Sequence, residues 1–303
     1  MSSKKKPLSL YQSQNFPWAE AASSVLSGPL PPALYLVATP IGNVTDITMR
    51  ALAILQAANV IACEDSRIAG KLLSLYGISA RFLSYHDHNA DQMIPKIIET
   101  VKSGQSVALI SDAGTPMISD PGYRLVRAFY EQGLDVTSLP GACAAITALT
   151  LSGLPTDTFY FGGFLPHKES ARHKTLEQVK QYDATLIFYE SPNRLTKALQ
   201  DIRVIFGSRP VAIARELTKL YETILTGTAE DILHILGEDP IKGECVIMIG
   251  GADETEFSMD DVDDMLRILL AENSVKDAAR IAADTTRLSK KELYERALLI
   301  KKT

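Results

Sequence analysis

The chain has 303 residues, which is enough for two domains and a small additional unit. Hydrophobic residues make up 46% of it and charged residues 22%, as in a soluble globular protein, and no apolar run approaches the roughly 20 residues of a membrane span. A formal net charge of -5 excludes a protein that coats nucleic acid through its overall charge, so any RNA contact requires a local basic patch.

Residues 1–33 show no hydrophobic periodicity and are rich in serine, glutamine and proline, which predicts a flexible N-terminal extension. The run Lys4-Lys5-Lys6 is basic, and a solvated tail explains it more simply than an RNA contact does. No apolar segment typical of a secretory signal follows this run. Three cysteines lie far apart in apolar surroundings, at Cys63, Cys143 and Cys245, and are expected to be reduced core residues of a cytoplasmic protein.

Residues 34–152 alternate between short apolar runs and stretches in which apolar residues have helical spacing. Strands are expected at 34–38, 60–63, 81–85, 107–110 and 135–139, and helices from about 46, at 68–76, 93–101 and 123–131, and again after 145. This alternation predicts an N-terminal α/β domain with a parallel, helix-covered sheet.

Residues 153–251 begin with Gly153-Leu154-Pro155-Thr156, a composition typical of a linker, and then have a higher density of strands. Strands are expected at 158–164, 184–189, 211–216, 221–226 and 244–249, and helices at 169–182, 192–206 and 228–237. The pattern predicts a C-terminal α/β domain with a mixed sheet.

Residues 256–303 belong to a region of different composition. Eight acidic residues accompany one arginine between Ala252 and Asn273, whereas residues 274–303 contain eight basic and four acidic residues. Helices at 259–272, 275–284 and 290–301 would form a small all-α, helix-turn-helix-like domain, whose final helix presents Lys290 and Lys291 to phosphates. A dimerisation or capping bundle with solvated charges explains the same pattern equally well.

The loop at residues 111–122 is the most distinctive of the chain, because it places Asp112, two glycines and two prolines after a buried strand. Open α/β sheets bind ligands at the carboxyl ends of their strands, where glycine lets the backbone approach closely and proline fixes the shape of a loop. An ordinary connection in which Asp112 caps the next helix is the alternative. Four strand-end loops are expected to converge, at residues 39–43, 64–67, 112–116 and 140–145.

These loops lack the common nucleotide and metal motifs. None contains G-x-G-x-x-G or G-x-x-x-x-G-K-[ST], so neither the dinucleotide fingerprint nor a P-loop is supported. His86 and His88 have metal-like spacing, but no other histidine or cysteine clusters near them in the sequence. We therefore expect a polar loop or a substrate contact there, and no metal.

Charged residues also follow the predicted strands of the second domain. Glu190 and Arg194 flank the start of a helix, with Ser191 as the expected N-cap residue. Arg215-Glu216-Leu217-Thr218-Lys219 ends another strand, and residues 165–174 are locally basic. A surface network of ion pairs is the simple explanation, whereas the position at strand ends favours a site for a polyanion or a ribose.

Several motifs resemble those of one family in content and order. They are Ala38-Thr39-Pro40-Ile41-Gly42-Asn43, Glu64-Asp65-Ser66-Arg67, Ser111-Asp112-Ala113-Gly114-Thr115-Pro116, Ser119-Asp120-Pro121-Gly122, Pro140-Gly141-Ala142, Tyr189-Glu190-Ser191-Pro192-Asn193-Arg194 and Arg215-Glu216-Leu217-Thr218-Lys219. On these motifs, residues 34–250 resemble the bacterial small-subunit (16S) ribosomal RNA cytidine ribose 2′-O-methyltransferases, a family of the tetrapyrrole methylase superfamily. The acidic-then-basic tail resembles that family's helix-turn-helix extension. Ser66 stands where the family usually has threonine, and residues 1–33 have no counterpart.

The resemblance implies a homodimeric enzyme with two α/β domains of the tetrapyrrole methylase type and S-adenosylmethionine bound between them. It also implies that the substrate is a cytidine in the decoding region of 16S rRNA, in the small ribosomal subunit. The implied cofactor-binding residues are Pro40, Asp112, Ala113, Gly114, Met117, Ile118, Pro140, Ala142, Phe188, Tyr189, Leu217, Val246, Ile247 and Met248. The expected RNA-binding residues are Arg67, Lys168, Arg172, Arg194, Lys290 and Lys291. Candidate proton acceptors are Glu64 and Glu190, with Asp65 and Glu216 as further candidates. Lys219 is also expected in the catalytic site, where it would bind an RNA phosphate.

Two other functions remain open on the sequence. One is C-methylation of a tetrapyrrole ring by a member of the same superfamily, and the other is ribosome binding without catalysis. The basic segment around Lys168 and the helical tail favour RNA over a tetrapyrrole, and the intact set of loops favours an enzyme.

Overall fold

The structure, a computed structural model, describes residues 28–237, 241–252, 259–286 and 288–302. Residues 1–27 of the predicted N-terminal extension and the predicted domain boundary at 256 lie outside these ranges. Residues 28–33 lead into the first strand, where the Tyr35 hydroxyl donates to the carbonyl oxygen of Pro31 at 3.0 Å. No helix in the described ranges combines the length and the hydropathy that a membrane span requires.

The first sheet contains five parallel strands in the order β3-β2-β4-β1-β5. The strands are β1 (Leu34–Val37), β2 (Val60–Cys63), β3 (Phe82–Ser84), β4 (Val107–Leu109) and β5 (Val136–Leu139). The helices are α1 (Met49–Ala57), α2 (Ser66–Leu75), α3 (Ala90–Lys102), α4 (Tyr123–Glu131) and α5 (Ala144–Leu151), with 3-10 turns at Val44–Asp46 and Asp87–Asn89. Helices α1 and α2 cover one face and α3 and α4 the other, which confirms the predicted parallel, helix-covered sheet.

Local capping explains where the helices of this sheet begin. Helix α1 starts later than predicted because the Thr48 hydroxyl accepts the Ala51 N–H at 3.1 Å, while residues 44–46 form a separate 3-10 turn. Helix α2 starts earlier than predicted because Asp65 accepts the Arg67 N–H at 2.8 Å.

The second sheet is mixed, as predicted, with the order β6-β7-β10-β8-β9. Its strands are β6 (Phe159–Phe164), β7 (Thr185–Glu190), β8 (Pro210–Arg215), β9 (Thr223–Thr228) and β10 (Cys245–Ile249). Its helices are α6 (Glu169–Val179), α7 (Pro192–Phe206) and α8 (Ala229–Leu236). Strands β6 and β7 are parallel, and the other neighbouring pairs are antiparallel.

The two faces of the second sheet pack against different helices. In β10, Cys245, Ile247 and Ile249 point into a core shared with α7 and α8. The alternate residues Val246 and Met248 point to the opposite face and pack against α5. Since α5 follows the last strand of the first sheet, the first part of the chain supplies one side of the second sheet's core.

The C-terminal part contains helices α9 (Met259–Glu272), α10 (Val275–Thr286) and α11 (Lys290–Lys302). Their common core consists of Val262, Leu266, Ala279, Ala282, Leu293 and Ala297. The guanidinium of Arg296 on α11 pairs with Asp263 on α9, and one N–H···O distance is 2.9 Å. At least one basic residue of the C-terminal segment is therefore neutralised by an acidic residue of the same helical unit.

The first prediction concerns the core of the first sheet. Phe129 is 0% exposed and Tyr130, its neighbour on α4, is 66% exposed. We expect Phe129→Ala to lower the free energy of unfolding by about 3–5 kcal/mol, because it removes a ring from a packed core. Tyr130→Ala is the matched control and should change it by no more than about 0.5 kcal/mol. Urea unfolding followed by circular dichroism measures both, and similar small losses would contradict this core.

Candidate active site

Three neighbouring strands of the first sheet end in loops that contact one another. Thr39 and Gly114 form an antiparallel bridge, with backbone N···O distances of 2.8 and 3.0 Å. The Thr115 hydroxyl donates to the carbonyl oxygen of Ala142 at 2.9 Å. The loops after β1, β4 and β5 therefore converge and form one wall of a cleft.

The loop after β4 has an unusual backbone conformation. Its φ angle is positive at Gly114 (81°) and Gly122 (143°), and also at the non-glycine residues Met117 (73°) and Ser119 (66°). Such conformations cost of order 1 kcal/mol or more in non-glycine residues and persist where the surrounding structure enforces them. A Cβ atom at position 122 would lie 2.7 Å from Cγ of Met117, so this methionine packs beneath the loop.

Beside the cleft, side chains of the second domain contact the backbone of the first. The Asn43 N–H donates to Oγ1 of Thr218 at 2.9 Å. A Cβ atom at Gly42 would lie 2.6 Å from Cγ of Lys219, so only glycine fits there without a shift. At the start of α5, the Ala145 N–H donates to the Tyr189 hydroxyl at 3.2 Å.

Between these contacts lies a cavity of about 360 Å³ lined by both domains. Seven of the predicted cofactor-binding residues line it, namely Asp112, Ala113, Gly114, Ile118, Tyr189, Leu217 and Val246. Of the two named proton-acceptor candidates, Glu190 lines it and Glu64 does not. The expectation of one shared pocket at the ends of the strands therefore agrees with the arrangement of the chain.

The remaining predicted cofactor-binding residues lie outside the lining, and they are Pro40, Met117, Pro140, Ala142, Phe188, Ile247 and Met248. Phe188 and Ile247 are paired on β7 and β10 and point their side chains into the helix-covered core on the opposite face. Met248 belongs to the cluster packed against α5, and Ala142 supports the loops through its carbonyl oxygen.

Ten lining residues were not among the predicted site residues. They are Ile41, Thr115, Ser119, Asp120, Cys143, Ala144, Phe164, Ser191, Glu244 and Cys245. Most lie next to a predicted residue or inside a quoted motif, so the motifs themselves contained the signal. Ala144, Phe164 and Glu244 are exceptions, since they neither adjoin a predicted site residue nor belong to a quoted motif.

Glu190 is the most deeply buried charged group of the cavity. Its side chain is 0% exposed, and Oε1 accepts from the Ser191 N–H and from the Arg194 guanidinium, each at 2.6 Å. Its Oε2 has no hydrogen-bond partner among the described residues. A buried acceptor of this kind fits a hydroxyl or amino donor of a ligand.

Arg194 therefore has a structural role beside the cavity. It also donates from Nε to the Ser191 hydroxyl at 3.0 Å and from Nη1 to the carbonyl oxygen of Leu165 at 3.3 Å. Ser191 is the N-cap residue of α7, as predicted, but its side-chain oxygen accepts from Arg194 and makes no capping hydrogen bond.

Carboxylates also lie on the first-domain side of the cavity. Asp112 accepts a backbone hydrogen bond from Asp65, which joins the loop after β2 to the loop after β4, and burial raises the pKa of Asp112. Helix α4 has Gly122 at its N-cap and no side-chain cap, so the alternative in which Asp112 caps it is wrong. Burial, together with the nearby charges of Glu64 and Asp112, raises the pKa of Asp120 to about 6.

The loop after β2 presents an exposed ion pair. The side chain of Arg67 is 86% exposed and its Nη2 lies 2.6 Å from Oδ2 of Asp65. The hydrogen bonds from Arg67 lower the pKa of Asp65 to about 2, so this carboxylate is a weak base. Glu64 is exposed at the same edge.

Lys219 lies in an ion-pair network at the contact between the domains. Its Nζ is 2.9 Å from Oε1 of Glu216 and 3.1 Å from Oε2 of Glu244. The hydrogen bond from Lys219 lowers the pKa of Glu216. Glu216 and Thr218 both have positive φ, at 51° and 63°, so the second wall of the cleft is also held in a strained conformation.

The predicted RNA-binding residues occupy very different surroundings. Arg172 is buried, and its Nε lies 2.5 Å from Oδ2 of Asp201, so the prediction that it binds RNA is wrong. The ion pair with Asp201 and the low exposure leave no guanidinium surface for a phosphate. Lys168, Lys290 and Lys291 are exposed.

One group of side chains in the described ranges has distances compatible with a metal ion, namely Glu169, His173 and Asp201. Asp201 already pairs with the buried cation of Arg172, which disfavours a second cation there. His86 and His88, the pair with metal-like spacing, do not belong to this group, and their rings are 6.0 Å apart in a T-shaped arrangement.

The two α/β domains with a cavity between them belong to a class of protein, the tetrapyrrole methylases, as the family profiles show. The family profile described as Tetrapyrrole (Corrin/Porphyrin) Methylases matches residues 33–233, and the profile described as RsmI C-terminal HTH domain matches residues 258–301. The predicted fold class is thereby confirmed.

Solved structures with low sequence identity share this fold. A diphthine synthase has a TM-score of 0.56 at 16% identity and covers 72% of this chain and 90% of its own. A uroporphyrin-III-C-methyltransferase from Thermus thermophilus has a TM-score of 0.53 at 21% identity, and the match covers 72% of this chain and 94% of that protein.

The chain belongs to the ribosomal RNA small subunit methyltransferase I family. It is 50% identical over 277 residues to the member from Mesorhizobium japonicum, covering 91% of this chain and 94% of that protein. It is 47% identical over 270 residues to the member from Escherichia coli O157:H7, covering 88% and 94%. The resemblance inferred from the motifs is confirmed.

The second prediction concerns the contact at Gly42. A methyl group there would meet Cγ of Lys219 at 2.6 Å and the backbone oxygen of Leu217 at 2.9 Å. We expect Gly42→Ala to lower the free energy of unfolding by about 1–3 kcal/mol through overpacking. The matched control is Gly70→Ala in α2, where the nearest atom would be 3.9 Å away and alanine should stabilise the helix by up to about 1 kcal/mol. Thermal and urea unfolding measure both, and equal effects would contradict a tight contact.

Proposed function

We propose that this chain is an S-adenosylmethionine-dependent methyltransferase of the 2′-hydroxyl of a cytidine in 16S rRNA, in the decoding region of the small ribosomal subunit. The observation that carries the proposal is the cavity between the two domains, lined by residues of the motifs that resemble the family. The relatives from Mesorhizobium japonicum and Escherichia coli O157:H7 are named as methyltransferases of small-subunit ribosomal RNA, which supports the substrate class.

The cavity fits this cofactor in size and chemistry. Its volume of about 360 Å³ lies within the range of roughly 300–1,000 Å³ for small-molecule sites. Leu217 and Val246 provide apolar surface, while Glu190 provides a buried acceptor with an open oxygen for an amino or hydroxyl group. Bound S-adenosylmethionine would supply a methyl group activated by a positively charged sulfur. The residues of the chain bind and orient the two reactants and exclude water.

The acidic lining suits a cationic methyl donor. Asp112, Asp120 and Glu190 all line the cavity, so they attract a positive charge held between them. The product of methyl transfer has lost that charge, so the attraction weakens after the reaction. This change favours exchange of the spent cofactor.

RNA phosphates require basic side chains away from this acidic lining. Arg67 is exposed at the edge of the first sheet, Lys168 is exposed before α6, and Lys290 and Lys291 are exposed on α11. We assign these residues to phosphate binding, which positions the ribose without reading the base. The homodimer and the cytoplasmic location are proposed from the family resemblance.

Methylation of a tetrapyrrole and ribosome binding without catalysis are the competing functions. The solved structures of tetrapyrrole enzymes share only the fold at these low identities, whereas relatives at 43–50% identity are named for ribosomal RNA. The cavity with an open buried acceptor favours catalysis over simple attachment.

The test is methyl transfer from labelled cofactor to purified small ribosomal subunits that lack the modification. We expect label on a single cytidine of 16S rRNA, and resistance of the adjoining phosphodiester bond to alkali because a blocked 2′-oxygen cannot attack it. Label on the base, or label on a tetrapyrrole acceptor and none on subunits, would overturn the proposal. A chain that neither binds the cofactor nor transfers label would support the non-catalytic alternative.

The third prediction concerns cofactor affinity. Gly114 lines the cavity with φ of 81°, and a Cβ atom there would lie 3.2 Å from Cγ2 of Ile41. We expect Gly114→Val to weaken cofactor binding by about tenfold or more, since the loop must shift. Gly133→Val is the matched control, because Gly133 also has positive φ but has no atom within 4 Å of its Cβ position. Isothermal titration should show near-normal affinity for the control, and equal affinities for both variants would count against the cofactor site.

The fourth prediction concerns RNA binding by α11. We expect Lys290→Glu combined with Lys291→Glu to raise KM for small subunits by about tenfold at moderate salt, because two phosphate contacts are lost. Cofactor affinity should not change. The control carries the same charge change at the exposed residues Lys71 and Lys96 of the first domain. If the control raises KM equally, overall charge and not a local contact explains the effect.

A further inference from the structure

Asp120 combines features that no other carboxylate of the cavity has. It lines the cavity and follows Ser119, which has a positive φ of 66°. On the opposite side, a Cβ atom at Gly163 of β6 would lie 3.2 Å from the Ser119 hydroxyl, so the two domains meet close to Asp120. Asp120 therefore lies where the loop after β4 approaches the second domain.

The groups around Asp120 are acidic or neutral. Glu64 and Asp112 are the charged groups that act on it, the Ser111 hydroxyl hydrogen-bonds to it, and its charge also acts on the phenol of Tyr189. No cation is among the groups that shift its pKa in the described part of the chain. Its carboxylate therefore has no counter-ion to stabilise the charged form, unlike Glu190.

The other carboxylates near the cleft are less suited to accept a proton. Glu190 is ion-paired, because its Oε1 accepts from the Arg194 guanidinium and from the Ser191 N–H, although its Oε2 is open. Glu244 lies 3.1 Å from Nζ of Lys219, and its side chain is 77% exposed. Ion pairing stabilises a carboxylate in its charged form and so makes it a weaker base. Asp112 has no ion-pair partner among the described residues, but it is exposed to solvent. Glu64 does not line the cavity.

We propose that Asp120 is the proton acceptor for the ribose hydroxyl that becomes methylated. This inference rests on the function proposed above. In the step, the bond between hydrogen and the 2′-oxygen breaks and the proton moves to the Asp120 carboxylate. The 2′-oxygen forms a bond to the methyl carbon, and the electron pair of the broken carbon–sulfur bond stays on sulfur, which becomes neutral.

Burial raises the pKa of Asp120 to about 6, and this value suits the role. The group is ionised at pH 7 and is a stronger base than an exposed aspartate. Because only the ionised form accepts a proton, the rate should rise as the pH increases through about 6 and level off above it.

The experiment measures single-turnover methylation of small subunits by the full-length wild type, Asp120→Asn and Asp120→Glu. We expect Asp120→Asn to lower the rate by about 100-fold or more, with cofactor affinity by isothermal titration within about threefold of wild type. Asp120→Glu should retain intermediate activity and move the lower pH limb. The control is Asp157→Asn, which removes an exposed carboxylate in the segment before β6 and should leave the rate and pH profile unchanged.

Several outcomes would overturn the assignment. They are a rate for Asp120→Asn above about a tenth of wild type, an unaltered pH limb in Asp120→Glu, or a loss of activity fully explained by lost cofactor affinity. If Asp120→Asn does not fold, the pH dependence of the Asp120→Glu rate tests the assignment instead, and an unshifted lower limb overturns it. Failure of the proposed function is distinguishable, because the wild type itself would then leave the subunits unmethylated.

Discussion

The close contact between Gly42 and residues 217–219 holds the two domains together beside the cavity. The Asn43 N–H donates to Thr218 at this point, and there is no room for a side chain at position 42. The width of the cavity depends on this contact, because Leu217 is both part of the contact and part of the lining. A site shared by two domains needs such a fixed distance, since neither domain alone encloses a ligand.

Backbone strain is concentrated at the same place. All four non-glycine residues with positive φ in the described ranges, Met117, Ser119, Glu216 and Thr218, lie in the two segments beside the cleft. Each such residue costs of order 1 kcal/mol or more, and the surrounding hydrogen bonds and packing must supply that energy. A rigid loop loses little conformational freedom when a ligand binds, so the strain is consistent with a preorganised site.

Sequence reasoning predicted which loops meet at the cavity but not the direction of every side chain. The loops at 39–43, 112–116 and 140–145 could be predicted to meet, because parallel strands end at one edge of a sheet. For Phe188 and Ile247 the family resemblance identified the right strands, but which face of a mixed sheet meets the cleft depends on the packing of α5. Arg172 seemed available for RNA because its partner, Asp201, lies on another helix. Such long-range pairs leave no local pattern in the sequence.

Helix α5 has a consequence for how the molecule folds. It is continuous with the first domain, yet its buried residues Ala145, Ala148 and Leu149 pack against the second sheet. A fragment that ends near residue 152 would expose this apolar helix to water, and a fragment that begins there would leave one face of its sheet uncovered. The two domains therefore depend on each other during biosynthesis. The first domain leaves the ribosome with the apolar face of α5 exposed, and this face is buried only when the second domain has been synthesised and has folded.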